Sequence, residues 1–113
     1  EIEAKAADLM FDRLEEVDLA PFRLVLEELK SACEKAEQST IVQCDMAFHR
    51  FLIDASGKRE LLSLWLPIVS RMMLNYTRHQ DWMESYREHE AIAQAVMAGD
   101  REKAKQLLEA NVS

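Results

Sequence analysis

Apolar residues recur three and four positions apart along almost the whole chain, the period of a helix that buries one face. Ile2, Ala6, Leu9, Met10 and Leu14 set the first such stripe and predict an amphipathic helix over 2–14. Asp18 and Pro21 suit a first helical turn, and Phe22, Val25, Leu26, Leu29 and Ala32 carry a second helix that fades near Glu37. Ser39 or Thr40 is expected to cap a third, with Ile41, Cys44, Phe48, Leu52 and Ala55 facing in and Gly57 as its left-handed stop. A fourth helix is expected from about Glu60 to Arg78, its inner side read as Leu61, Leu64, Trp65, Ile68, Met72 and Tyr76, with Pro67 loosening one turn. Asp81 and Glu84 have capping-box spacing and open a fifth helix with Trp82, Tyr86, Ile92, Ala93 and Val96 inward. Gly99 stops it, Asp100 caps a sixth, and Ala104, Leu107 and Leu108 form the last stripe. These elements predict one all-α domain, an antiparallel bundle of about six helices.

Composition agrees with that expectation. The 113 residues are 49% hydrophobic and 31% charged with two Gly and two Pro, enough for one core and too few turn residues for a β protein. No apolar run approaches the roughly 18 residues of a membrane span, and no charged-then-apolar leader is visible, so a cytoplasmic protein is expected. A net charge of −7 argues against this surface gripping phosphates, so any nucleic acid must be held by something outside these residues. Cys33 and Cys44 lack CxxC spacing and read as small buried hydrophobes.

Four polar residues interrupt the stripes. Asp45 and His49 fall on the apolar face of the third helix, His89 on that of the fifth, and Asn111 continues that of the sixth. A buried carboxylate costs several kcal/mol unless paired or metal-bound, on the order of the penalty for any uncompensated buried ion. Residues four apart on a helix project side by side, so Asp45 and His49 can share one point. The GlyAsp turn at 99–100 makes a hairpin of the last two helices and brings His89 toward Asn111. Two imidazoles and a carboxylate suit zinc first, with nickel, manganese or iron as alternatives, and the Asn111 amide oxygen is a weak fourth ligand or leaves that position open. Against this stands a plainer reading, in which core histidines are hydrogen-bonded packing residues and Asp45 with His49 is an ordinary pair on one helix. Arg71 and Asn75, four apart beside the inner stripe of the fourth helix, are candidates for holding a carboxylate ligand, since Arg offers a two-pronged donor. A solvated helix flank is their plainer reading.

The segment AspMetAlaPheHis at 45–49, AlaSerGly at 55–57, and GluHisGluAlaIleAlaGlnAlaValMetAlaGlyAsp at 88–100 followed by Ala104 together resemble a known family. They are similar to the effector-binding and dimerisation (FCD) domain of GntR-type bacterial transcription regulators of the FadR subfamily, and the resemblance covers nearly the whole chain. It implies an all-α bundle enclosing a pocket, in which one branch of the family holds a divalent metal by an Asp and three His beside a small carboxylic acid. Asp45, His49 and His89 match the first three ligand positions, and Asn111 stands where the family usually has its last His. It also implies a homodimer, a small-molecule carboxylate effector, and an N-terminal winged helix-turn-helix DNA reader that is absent from these residues. The expected function is therefore ligand sensing and not catalysis. A mononuclear metal-dependent hydrolase is the rival from another class; the GluXXHis spacing of di-metal bundles and a GxSxG motif are both missing. A metal-free dimerisation domain with an internal polar network is the third.

Overall fold

The computed structural model describes the backbone of residues 2–75 and 82–112 and the side chains of residues 2–70 and 82–110. Among the described residues every regular element is helical: α1 Ile2–Asp12, a short 3-10 turn Leu14–Glu16, α2 Ala20–Glu34, α3 Gln38–Ala55, α4 Arg59–Asn75, α5 Trp82–Met97 and α6 Arg101–Val112. The all-α, six-helix expectation is met. α3 lies between α1, α2 and α4, while α5 packs on α2 and α6, and α6 returns to α1. No helix of the described residues is long and apolar enough to cross a membrane.

The central core gathers Met10 of α1, Phe22 of α2, Phe48 and Leu52 of α3, Ile92 and Val96 of α5 and Leu108 of α6, all fully buried. Phe22 and Phe48 pack as tilted rings with centroids 4.6 Å apart. Leu29, Ile41 and the two cysteines close one flank, and Ala6, Ile53, Leu61, Trp65 and Val69 close the other. Cys33 and Cys44 are free and buried. Burial, then the nearby Cys44, pushes the Cys33 thiol up to about 11, which keeps it an inert packing residue as expected.

Several boundaries and faces differ from the sequence expectation. α1 stops at Asp12, two residues early, because the chain tightens into the 3-10 turn. α3 begins at Gln38 with Glu37 flanking it and no side-chain cap, so neither Ser39 nor Thr40 caps it. Asp100 does cap α6, its Oδ1 accepting from the Lys103 N–H at 3.2 Å. On α4 the covered stripe is Leu61, Trp65 and Val69, while Leu64 and Ile68 are 57% and 37% exposed. Among the described residues α4 packs mainly against α3 and α1, and its Leu64 and Ile68 side stays largely uncovered. Met72, Tyr76 and Asp81 lie outside the described side chains.

The start of α3 is set from behind, by the way α2 ends. Glu37 N–H donates to the Ala32 carbonyl at 3.0 Å and Ala36 N–H to Cys33 at 3.2 Å, the paired bonds of a Schellman closure. α5 ends by the same pair, Asp100 to Ala95 and Gly99 to Val96. The left-handed residue is Gly99 at φ 73° in one case and Ala36 at φ 54° in the other. A Cβ in that conformation costs about 1 kcal/mol. Ala36→Gly is therefore expected to stabilise the fold by about 0.5–1 kcal/mol, read as a higher midpoint in urea at unchanged slope.

Candidate metal centre

Asp45 and His49 leave α3 side by side, and His89 reaches them from α5; all three are buried. Their donor atoms lie within 4.8 Å of one another. Phe48, between Asp45 and His49 in sequence, presses its ring edge-on against both imidazoles, at 4.8 Å from His89 and 5.6 Å from His49.

The ring nitrogens are fixed by their outer partners. His89 Nδ1 lies 2.7 Å from the Ser85 carbonyl, one turn earlier on α5. A carbonyl only accepts, so Nδ1 carries a proton and Nε2 is the nitrogen turned inward. That Nε2 is 2.6 Å from Asp45 Oδ1. His49 is built the same way: Nδ1 donates to Glu3 Oε1 from α1. Its Nε2 lies 3.0 Å from the same Asp45 oxygen, at an angle that makes no hydrogen bond, and is left buried without a hydrogen-bond partner. Two imidazole Nε2 atoms and a carboxylate oxygen thus face one buried point.

Such a point calls for positive charge. Burial alone would raise the Asp45 carboxyl, but the contacts with His49 and then His89 outweigh it and hold the group well below the usual carboxylate range. Burial alone would lower the His49 imidazole, but Asp45 and then Glu3 outweigh it and push the imidazole up to about 10. A proton on His49 Nε2 supplies the charge but has no acceptor in line. A divalent cation fits the donor set better: one anionic oxygen and two nitrogens, both with their outer N–H groups anchored, with room in the chemistry for a fourth ligand.

The geometry therefore brings together three of the four residues expected at the centre. Asn111 on α6 and Arg71 and Asn75 on α4 sit in helices whose backbone is described, but their side chains lie outside the described residues. Sequence reasoning missed Glu3, which is 3% exposed and touches the centre through His49. Its Oε2 also accepts from Trp65 Nε1 at 3.2 Å, so a single carboxylate joins α1, α3 and α4. The signal was present in the spacing, since Glu3, Ala7 and Met10 are four and three apart and the latter two are core residues.

Comparison with known proteins places this site in a context. The FCD domain family matches residues 1–113. A curated relative, described as an uncharacterised HTH-type transcriptional regulator, YdhC of Bacillus subtilis, is 32% identical over 111 residues, 93% of this chain and 49% of that protein. The chain thus spans about half the length of this relative. Among solved structures, the metal-free FCD domain of TM0439, described as a candidate transcriptional regulator, is similar with a TM-score of 0.82 at 22% identity, covering 98% of this chain and 78% of that one. At that identity the likeness speaks for the fold.

Proposed function

The chain belongs to the FCD domain family, and from that premise we propose that it is the sensing domain of a transcription regulator, with a divalent metal held by Asp45, His49 and His89. The observation that carries the metal is the buried His49 Nε2, which faces Asp45 and His89 without a hydrogen bond of its own. A bound divalent cation supplies a Lewis-acidic attachment point for a carboxylate. Zinc is the first choice for this nitrogen and oxygen set, with nickel, manganese or iron as alternatives. Asn111 is proposed as the fourth ligand or as the neighbour of an open position, and Arg71 with Asn75 as the pair that grips the effector carboxylate. The protein's own residues anchor and orient a ligand in this reading, and turnover is not part of it.

Regulation follows if the effector prefers one arrangement of a homodimer over another, because a ligand shifts an equilibrium only by its differential affinity. DNA would be contacted by a winged helix-turn-helix domain in the full-length protein. The relative's length and its description as an HTH-type regulator support this organisation.

The rival use of the same residues is a metal-free ion cluster, favoured by the raised His49 imidazole between two carboxylates. Metal analysis of tag-free protein, with melting curves before and after chelator, separates the two. Near one metal per chain with a chelator-sensitive melt is expected, and a metal-free, chelator-insensitive protein sinks the proposal. A second reading comes from pH. Since His49 holds a proton up to about 10 in the metal-free state, metal must expel it. Zinc affinity measured between pH 6 and 8 is expected to rise by about tenfold per pH unit for each proton released, and a flat profile would argue that His49 is not a ligand.

A further inference from the structure

The buried carboxylate of Glu3 has no role in the proposed ligand set, yet it reaches the centre from α1 through a hydrogen bond with His49. We propose that Glu3, held in place by Trp65, is the positioning residue of the metal centre: it fixes the tautomer and ring angle of His49 so that Nε2 faces Asp45 and His89. This inference rests on the reading of that cluster as a metal site.

The argument is one of hydrogen-bond inventory. An ionised carboxylate only accepts, and Glu3 has two donors directed at it, His49 Nδ1–H at Oε1 and Trp65 Nε1–H at Oε2. With both oxygens occupied from different helices the carboxylate cannot rotate, and the His49 ring it grips cannot rotate either. The proton it holds on Nδ1 forces the lone pair of the neutral ring onto Nε2. A carboxylate behind a ligating imidazole also raises the basicity of the coordinating nitrogen. His89 has a different backing group, the Ser85 carbonyl on its own helix, which fixes the tautomer but brings no charge and ties in no second helix. The two imidazoles are therefore not equivalent. His49 is the one whose orientation depends on where α1 and α4 sit, because Glu3 is on α1 and Trp65 on α4. Movement of either helix is felt at the metal through this carboxylate, and filling of the centre is felt at the first turn of α1.

Glu3→Gln is the sharp test, because glutamine keeps the shape but offers one acceptor and one donor group. It can satisfy His49 or Trp65, and whichever is left meets an N–H. Zinc affinity by competition with a chelating dye should fall by about 10–100-fold. The visible absorption of the cobalt-loaded protein should change in band position, which a merely structural role would not produce. Wild-type protein that binds neither zinc nor cobalt overturns the metal reading and this inference with it. Wild type that binds while Glu3→Gln binds within threefold, with an unchanged cobalt spectrum, overturns only the inference, even if the variant melts lower in chelator. Should Glu3→Gln not fold, Trp65→Phe frees one carboxylate oxygen and keeps the charge; affinity and spectrum equal to wild type there overturn the proposal equally.

Discussion

Asp45→Ala is expected to abolish zinc binding and to destabilise the metal-free protein by about 3–5 kcal/mol at pH 6, the usual cost of stripping one partner from a buried ionic cluster. Asp45 is the only one of the three residues whose contacting atom is shared, since Oδ1 faces both His49 Nε2 and His89 Nε2. Removing it leaves two imidazoles 5.4 Å apart between centroids with nothing anionic between them. His49 then keeps Glu3 alone as a source of positive-charge stabilisation, so its imidazole should titrate lower than in wild type.

The pH dependence of that loss separates protons from metal. A group whose folded pKa is raised contributes stability below its unfolded value and loses it as pH climbs through the folded one. For His49 the contribution is complete below about 6.5 and disappears toward about 10. Asp45, whose folded pKa is depressed, contributes above its ordinary value of 3.8 and loses that only in strong acid. In chelator, the gap between wild type and Asp45→Ala should therefore be widest between about pH 4 and 6.5 and narrow as pH rises. With saturating zinc the opposite trend is expected, because metal competes with protons and gains as they leave. Urea unfolding at pH 5, 7 and 9, with and without zinc, reads both slopes. Parallel slopes under the two conditions would mean that zinc does not enter this cluster.

Much of the centre was legible because its residues break a periodic rule. Asp45, His49 and His89 stand at positions where the 3.6-residue period demands apolar side chains, and each turned out to be buried. The stops were legible as well: Gly57 and Gly99 take left-handed φ values of 76° and 73°. What escaped was information about neighbours. Ile2, Leu9 and Leu14 looked as inward as Ala6 and Met10, because periodicity gives a stripe but not which edge of it the next helix covers. The true face of α1 is rotated toward Glu3, Ala7 and Met10, and Glu3 at its rim lies outside the apolar stripe that periodicity picks out. On α4 the same ambiguity favoured Leu64 and Ile68 over Val69. The α2–α3 junction hid its stop signal, because Ala36 fills a position where glycine is the usual sign.

Phe48→Ala should have the second large effect, and a double one. The ring is fully buried against Phe22 and meets both imidazoles edge-on, so truncation leaves a cavity beside the centre as well as in the core. The expected loss is about 3–5 kcal/mol, enough to lower the melting temperature of a domain this size by roughly 10–20 °C. Phe22→Ala is the matched control. Its ring is equally buried but its aromatic contacts are with Phe48 and Phe51. Both variants should lose similar stability in chelator, whereas zinc affinity should fall for Phe48→Ala and hold for Phe22→Ala. The reason is geometric: the Phe48 ring stands at 81° to His89 and 75° to His49, a wedge that limits rotation of both ligands. Differential scanning calorimetry with zinc titrations on the two variants decides the point. Equal affinity losses would mean that the core as a whole, and not this ring, sets the imidazole angles. Unequal losses would make the residue between Asp45 and His49 part of the centre's geometry, so that packing of the bundle and binding at its polar heart are one structural problem.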